Sequence, residues 1–308
     1  MNIKMAVEEF LDNVGGNKSQ CTKKSYANGV KALQKHLIYK GLETTSPLEN
    51  LTIDLLISFP SYLGKMGYSK KTIGLYTSSS RSFVRWLIIQ GHMNPTQQEM
   101  IRFEMAYKDA NQRRQDKLPR WPKRDDVERL LDAVKKLNEP SPRLERDIAI
   151  IEFLASTGCR NNEICQLKIE NINPRDRSAV VVGKGDKERV VFFSVAALDA
   201  LRVYWKARSD SSLSSPVFCR HDKGAGKKSK PIGTASIRNI VKDVMKVAGV
   251  RKFSPHYFRH AFAIKMLRET QNLALVQDLL GHKDPAATRV YAKIYPDELR
   301  DAHHKVFG

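Results

Sequence analysis

The chain has 308 residues, enough for one sizeable core and a smaller second one, so two domains are expected. Its formal charge of +20, from 53 Lys and Arg against 33 Asp and Glu, exceeds what solubility requires and points to an anionic partner; nucleic acid leads over lipid because no terminus is a basic amphipathic helix. Cys21, Cys159, Cys165 and Cys219 have neither Cys-x-x-Cys spacing nor the density of a disulfide scaffold, Glu8 and Glu9 stand where a signal peptide needs its apolar centre, and no apolar run reaches membrane-spanning length, so a cytoplasmic, nucleoid-associated protein without membrane contact is expected.

Ala6 to Leu11 reads as a short helix broken by Gly15 and Gly16. The pattern restarts near Cys21, and Tyr26, Val30, Leu33, Leu37 and Ile38 recur at helical spacing as far as Gly41, a C-cap. Lys23, Lys24 and Lys31 in this helix are DNA-contact candidates and read equally well as a solvated face. Leu51 to Leu63 reads as a helix interrupted or kinked at Pro60 and ending before Gly64 and Gly67. Ser69 then caps a longer helix with a buried stripe of Ile73, Tyr76, Phe83, Val84, Leu87 and Ile88, closed by Gly91. Phe83 and Trp86 are assigned to the core rather than to base stacking, and Lys70, Lys71 and Arg81 join the DNA candidates. A short helix after Pro95 completes a four- or five-helix domain over residues 1–110, without a strand signal. Residues 111–124 have no apolar periodicity and carry two prolines with Arg113, Arg114, Arg120, Lys123 and Arg124, a basic linker able to lie along duplex phosphates.

The second domain, 125–308, opens with a helix from Asp125 or Asp126 through Leu137. An apolar helix, about Arg146 to Ser156, runs into Thr157-Gly158-Cys159-Arg160-Asn161-Asn162-Glu163, which places Arg160 in a turn between helices and Glu163 as a cap or cation partner. Ser178 to Val182 and Arg189 to Phe193 are β-prone runs joined by a Gly-rich turn from which Lys184 projects. Neither that turn nor Gly224 to Ser229 has the spacing of a nucleotide-binding loop. Helices follow over Ala196 to Lys206 and from Thr234 or Ser236 through Val247, separated by a polar loop over 208–231.

The stretch Ser254-Pro255-His256-Tyr257-Phe258-Arg259-His260 comes next, with Pro255 suited to a first helical turn. A helix carrying Leu273 to Leu280 ends at Gly281, His282 follows, and Tyr291 stands nine residues beyond on a helix opened by Asp284-Pro285. Imidazole, guanidinium and phenol groups at these spacings suit a substrate rich in anionic oxygen, phosphate above all. His256 and His260 by themselves read as a core or surface pair just as well. No His-Glu-x-x-His helix or cysteine pair offers a zinc site, and no cofactor is expected.

Taken together, the Thr-Gly-x-Arg-x-x-Glu turn with Arg160 and Glu163, the hairpin Lys184, the His-x-x-Arg of His256 and Arg259, His282 after Leu-Gly, and Tyr291 closely resemble the tyrosine recombinase (phage-integrase-type) family. The resemblance implies a mainly α fold, with a helical SAM-like core DNA-binding domain and a mixed α+β catalytic domain holding a small antiparallel sheet. It implies a Xer-like site-specific recombinase without an arm-binding domain, cleaving double-stranded DNA through a 3′-phosphotyrosine and exchanging strands without metal or ATP. By the same analogy Tyr291 is the nucleophile, Arg160 and Arg259 bind the non-bridging oxygens, His256 is the base, Lys184 the acid, His282 a phosphate donor and Glu163 architectural. Leu299, Ala302, Val306 and Phe307 outline a terminal amphipathic segment for exchange between subunits, giving a homotetramer on two paired sites, with room for accessory proteins. Asn161-Asn162 and Tyr257-Phe258 depart from the usual residues of the pattern, and Tyr295 is the rival nucleophile. A type IB topoisomerase-like nicking enzyme and a non-catalytic architectural DNA-binding protein are the alternatives.

Overall fold

The computed structural model describes residues 1–17, 20–110, 122, 125–183, 186–208, 212–221, 229–250, 256–281, 284, 288, 291, 304 and 307. The chain forms two compact units, Met1–Leu118 and Pro119–Gly308. In the first, six helices are described: α1 (Ile3–Asn17), α2 (Gln20–Tyr39), α3 (Ile53–Ile57), α4 (Phe59–Lys65), α5 (Lys70–Ile89) and α6 (Gln97–Ala110). Phe10, Leu33, Leu37, Phe59, Phe83 and Phe103 fill its core. The two long helices α2 and α5 pack directly. Gly29 permits this, since a Cβ there would stand 2.5 Å from that of Ser79.

Three local readings are corrected here. The first helix is longer than Ala6 to Leu11 and runs through Gly15-Gly16. Burial of Ile3, Ala6, Val7 and Phe10 along one face stabilises it by more than the roughly 1 kcal/mol that each glycine costs. The interruption expected at Pro60 is present but falls at Ser58, where two helices meet, and the second continues past Gly64 to Lys65. Pro60 has no N–H for the Leu56 carbonyl, which accepts instead from Tyr107 Oη at 3.2 Å. The neighbouring Leu55 carbonyl accepts from Ser58 Oγ at 2.8 Å and lies 2.9 Å from His36 Nε2. Side chains from α2 and α6 thus satisfy the carbonyls that the break releases. Finally, the helix after Pro95 is fourteen residues long rather than short. Ser69 caps α5 as expected, accepting from Thr72 N at 3.2 Å.

The second unit contains α7 (Asp126–Val134), α8 (Arg143–Thr157), α9 (Asn161–Gln166), β1 (Ile172–Asn173), β2 (Ser178–Val182), β3 (Glu188–Phe192), α10 (Val195–Ala207), α11 (Thr234–Val247), α12 (Tyr257–Thr270) and α13 (Leu273–Leu280). The strands form an antiparallel sheet in sequence order, with Val182 opposite Glu188 and Ile172 opposite Ala179. Ala179, Val181 and Val191 face the core, where Phe153, Leu154, Ile164 and Leu201 meet them. The two-residue β1 was not anticipated, being too short to carry an alternation. The architecture is mainly helical with one small antiparallel sheet, the class that the resemblance implies. Among the described residues no helix is long and apolar enough to cross a membrane.

Candidate active site

Glu163 is the point on which several site segments close. Gly158, at φ +61°, ends α8 in the left-handed region, and two residues later Arg160 becomes the N-cap of α9. Glu163 reaches back from the first turn and accepts from Arg160 N at 2.7 Å and from Arg160 Nη1 at 2.8 Å. Arg189, on β3, completes the cage with a two-pronged contact, Nη1 to Oε1 at 2.8 Å and Nη2 to Oε2 at 2.9 Å. The carboxylate is only 2% exposed. Burial alone would push its pKa up, but the Arg189 fork and the Arg160 donors outweigh it and hold the group below the ordinary carboxylate range. One negative charge therefore serves two guanidinium groups. Arg160, with 35% of its side chain exposed, keeps positive charge directed at solvent.

Arg259, on α12, is 4% exposed. Its Nη1 donates to the Gly158 carbonyl at 3.0 Å and its Nη2 to the Leu280 carbonyl, so one guanidinium ties the end of α8 to the end of α13. Among the described residues its hydrogen bonds go to neutral carbonyls and not to a carboxylate. Burial first, and the nearby Arg160 second, push its pKa down to about 10. It is still a cation at neutral pH. Gly281 closes α13 at φ +61°, and a Cβ there would come within 2.8 Å of Arg189 Cδ. Only glycine allows the Arg189 stem to pass the corner that precedes His282.

The phenol packs against α12 and α13. Tyr291 is 3% exposed, and its ring joins a small apolar cluster with Ala263, Ile264, Val276 and Leu280. Its hydroxyl is 2.9 Å from Nδ1 of His260, and the two rings are 5.7 Å apart. Burial raises the Tyr291 pKa, against the opposing pull of Arg259 and Arg160. Burial, then His256, then Arg259 lower that of His260 to about 4, so this is a neutral pair at physiological pH. His256 is the N-cap of α12 and stands exposed at the rim. The protein around its ring, followed by Arg259 and Arg160, lowers its pKa as well.

Of the residues singled out from sequence, Arg160, Glu163, His256, Arg259 and Tyr291 are brought into this one region by the contacts and charge interactions above. Lys184 and His282 lie outside the described residues, although Gly183 sits beside Glu163, where a Cβ would be 3.8 Å from Oε1. Arg113, Arg114, Arg120, Lys123, Arg124 and Tyr295 are likewise outside them. In the first unit Lys24, Lys31, Lys70 and Lys71 are exposed and Lys23 is half-buried. Arg81 is committed internally, 3.1 Å from Glu104 and over the Tyr107 ring. Sequence reading missed Arg189 and gave His260 no role, because each acts through a partner distant in the chain. Among the described residues no cluster of His, Cys, Asp and Glu is arranged to hold a metal.

Comparison with known proteins gives the same picture of relatedness along nearly the whole chain. Residues 120–298 match the phage integrase family and residues 7–91 match the phage integrase N-terminal SAM-like domain. The chain is 30% identical over 288 residues to the tyrosine recombinase XerD of Listeria innocua, covering 90% of this chain and 91% of the relative. It is 28% identical to the tyrosine recombinase XerC of Mycobacterium leprae, covering 93% and 92%. Among solved structures, XerH site-specific recombinase bound to a palindromic difH substrate, in a post-cleavage complex, superposes with a TM-score of 0.72 at 23% identity, covering 93% of this chain and 80% of that one.

Proposed function

The chain belongs to the phage integrase family of tyrosine recombinases, and from that premise we propose that it is a site-specific DNA recombinase that works through Tyr291. The observation that carries the assignment of residues is the nearness of Arg160, Arg259 and Tyr291, each within charge-interaction range of the others, with the hydrogen bonds of Arg259 going to main-chain carbonyls among the described residues. Glu163 is bonded by Arg160 and Arg189 and acts on Arg259 through charge alone, so one carboxylate faces three cations, and a phosphodiester supplies the missing negative charge.

In this reading the Tyr291 hydroxyl attacks a DNA phosphorus, the Oη–P bond forms, and the P–O5′ bond breaks to leave a 3′-phosphotyrosine and a 5′-hydroxyl. Charge builds on the non-bridging oxygens as the transition state forms. Arg160 and Arg259 are held in place before that moment, so the protein does not have to reorganise as water would. Glu163 orients Arg160 and, through Arg189, ties the hairpin to the α9 turn. Lys184 donates the proton to the departing 5′ oxygen, and His256 and His282 complete the phosphate surroundings. Attack by the 5′-hydroxyl of a partner strand reverses the chemistry and exchanges strands. The phosphoester energy is conserved in the phosphotyrosine, so the step consumes no nucleotide.

Residues 1–110 serve as the core DNA-binding domain, the basic 111–124 stretch follows the duplex, and 125–308 hold the catalytic groups. Lys23, Lys24, Lys31, Lys70 and Lys71 contact phosphates, each neutralised phosphate adding about 0.9 to the slope of log affinity against log salt. The protein associates weakly alone and forms a tetramer on two paired sites through its C-terminal segment, which sedimentation with and without DNA will distinguish. The central test uses suicide DNA substrates, with wild type, Tyr291→Phe and Tyr295→Phe. An SDS-stable adduct on the 3′ phosphate that disappears only in Tyr291→Phe supports the assignment; loss only in Tyr295→Phe overturns it.

A further inference from the structure

The His-x-x-Arg pattern draws attention to His256, yet among the described residues the imidazole within hydrogen-bonding distance of Tyr291 Oη belongs to His260. Its Nδ1 is 2.9 Å from Tyr291 Oη, inside the reach required of a group that takes a proton directly. The contact is protected. Tyr291 is buried, His260 is half-buried, and Ala263 and Ile264 of the same helix pack in the cluster that holds the phenol ring. Arg259 immediately precedes His260, and its main-chain anchors at Gly158 and Leu280 fix the first turn of α12. The phosphate-binding guanidinium and the imidazole at the nucleophile are thus set by one rigid segment.

We infer that His260 is a catalytic residue of the cleavage step, accepting the phenolic proton of Tyr291 through Nδ1 as the Oη–P bond forms. This deepens the assignment of Tyr291 as nucleophile and rests on it. The electron pair of the breaking P–O5′ bond leaves with the 5′ oxygen, which receives its proton from the acid on the other side of the phosphate. The proton taken from Tyr291 resides on His260 as imidazolium until resealing returns it to the phenol. Both directions of strand transfer then use the same proton store. The charges that face His260 include His256 and Arg259, and both disfavour imidazolium in the free protein. A phosphate on Arg259 offsets one of those charges, so substrate binding itself makes the proton transfer easier.

The assignment demands one tautomer. For Nδ1 to accept, His260 must carry its proton on Nε2. Imidazole nitrogen NMR on the full-length protein reads this directly: an Nε2–H tautomer whose Nδ1 shift moves in Tyr291→Phe is expected, and an Nδ1–H tautomer overturns the inference. The kinetic test uses His260→Asn, which retains a hydrogen-bonding group near the Nδ1 position but cannot take a proton. On a suicide substrate its adduct should form about 100-fold more slowly than that of wild type. A ring-fluorinated tyrosine at position 291, with a more acidic hydroxyl, should recover most of that loss in His260→Asn and change wild type little; a merely structural defect would not respond. Equal slowing with either phenol, or recovery in His256→Asn in place of His260→Asn, overturns the inference. The wild-type adduct, mapped to its tyrosine in the same experiment, keeps the two assignments separate, since an adduct on another tyrosine defeats the nucleophile assignment instead.

Discussion

In the N-terminal unit the buried polar groups are neutral and serve the main chain, whereas in the C-terminal unit buried charges converge with only partial compensation. His36 is wholly buried between Ser58 and the Leu55 carbonyl, and burial holds its imidazole below the ordinary value despite the pull of that carbonyl. Tyr107 pairs with Ser80 at 3.0 Å and reaches the Leu56 carbonyl. Every one of these contacts is completed within the unit and needs no ligand. By contrast, Arg160 and Arg189 share the buried Glu163 carboxylate, and Arg259, which interacts with it through charge, donates to carbonyls among the described residues. Burying a cation without a full counter-charge opposes stability. Such an arrangement is therefore a better pointer to function than burial of polar groups in general.

Four substitutions test that contrast, from the largest expected effect downward. Tyr291→Phe removes one oxygen and should abolish the covalent adduct while leaving DNA binding intact and the thermal midpoint nearly unchanged, as gel shift and calorimetry will report. Glu163→Ala leaves Arg189 buried without its counter-ion and should cost about 3–5 kcal/mol of stability in denaturant titration. Its pH signature has a definite sign. The folded carboxyl titrates below its unfolded value, so its contribution is present above about pH 4.3 and is lost as pH falls through the folded pKa. The alanine variant should therefore have a flatter acid limb than wild type.

Arg160→Ala should slow adduct formation by about 100- to 1000-fold, the cost of one preorganised transition-state contact, or roughly 3–4 kcal/mol. Because this side chain is partly exposed, unfolding should change much less than in Glu163→Ala. Tyr107→Phe removes the hydroxyl that donates to the Leu56 carbonyl and pairs with Ser80 Oγ in the N-terminal unit, and should cost about 1–3 kcal/mol of stability. Its cleavage rate per folded molecule should equal that of wild type. A comparable loss of cleavage in Tyr107→Phe and Arg160→Ala would break the distinction between neutral structural burial and charged functional burial.

Local signals were readable wherever one residue determines its own backbone. Ser69 as a cap, the left-handed glycines Gly41, Gly91 and Gly281, and the hairpin over Ser178 to Phe192 are of this kind. Signals failed where a distant partner decides the outcome. The interruption expected at Pro60 falls two residues earlier, at Ser58, where His36 and Tyr107 take up the released groups, and α1 passes through two glycines because its other residues bury a face. Arg189 looks like an ordinary strand cation until Glu163, 26 positions earlier, comes within 2.8 Å. His260 looks like the less interesting histidine of its pair until Tyr291, 31 positions later, meets its Nδ1.

The sequence by itself determined the family, the mainly helical class with a small sheet, and a spaced set of guanidinium, imidazole and phenol side chains that suits a phosphate substrate. It could do so because those residue types are demanded by the chemistry and keep their order along the chain. Tertiary structure alone decided which carboxylate holds which arginine, that Arg259 is anchored to carbonyls at two glycine corners, and which imidazole stands at the tyrosine hydroxyl. Those are pairings between segments brought together by burial of separate apolar faces, and spacing along a chain contains no distance between segments until that burial has closed the fold.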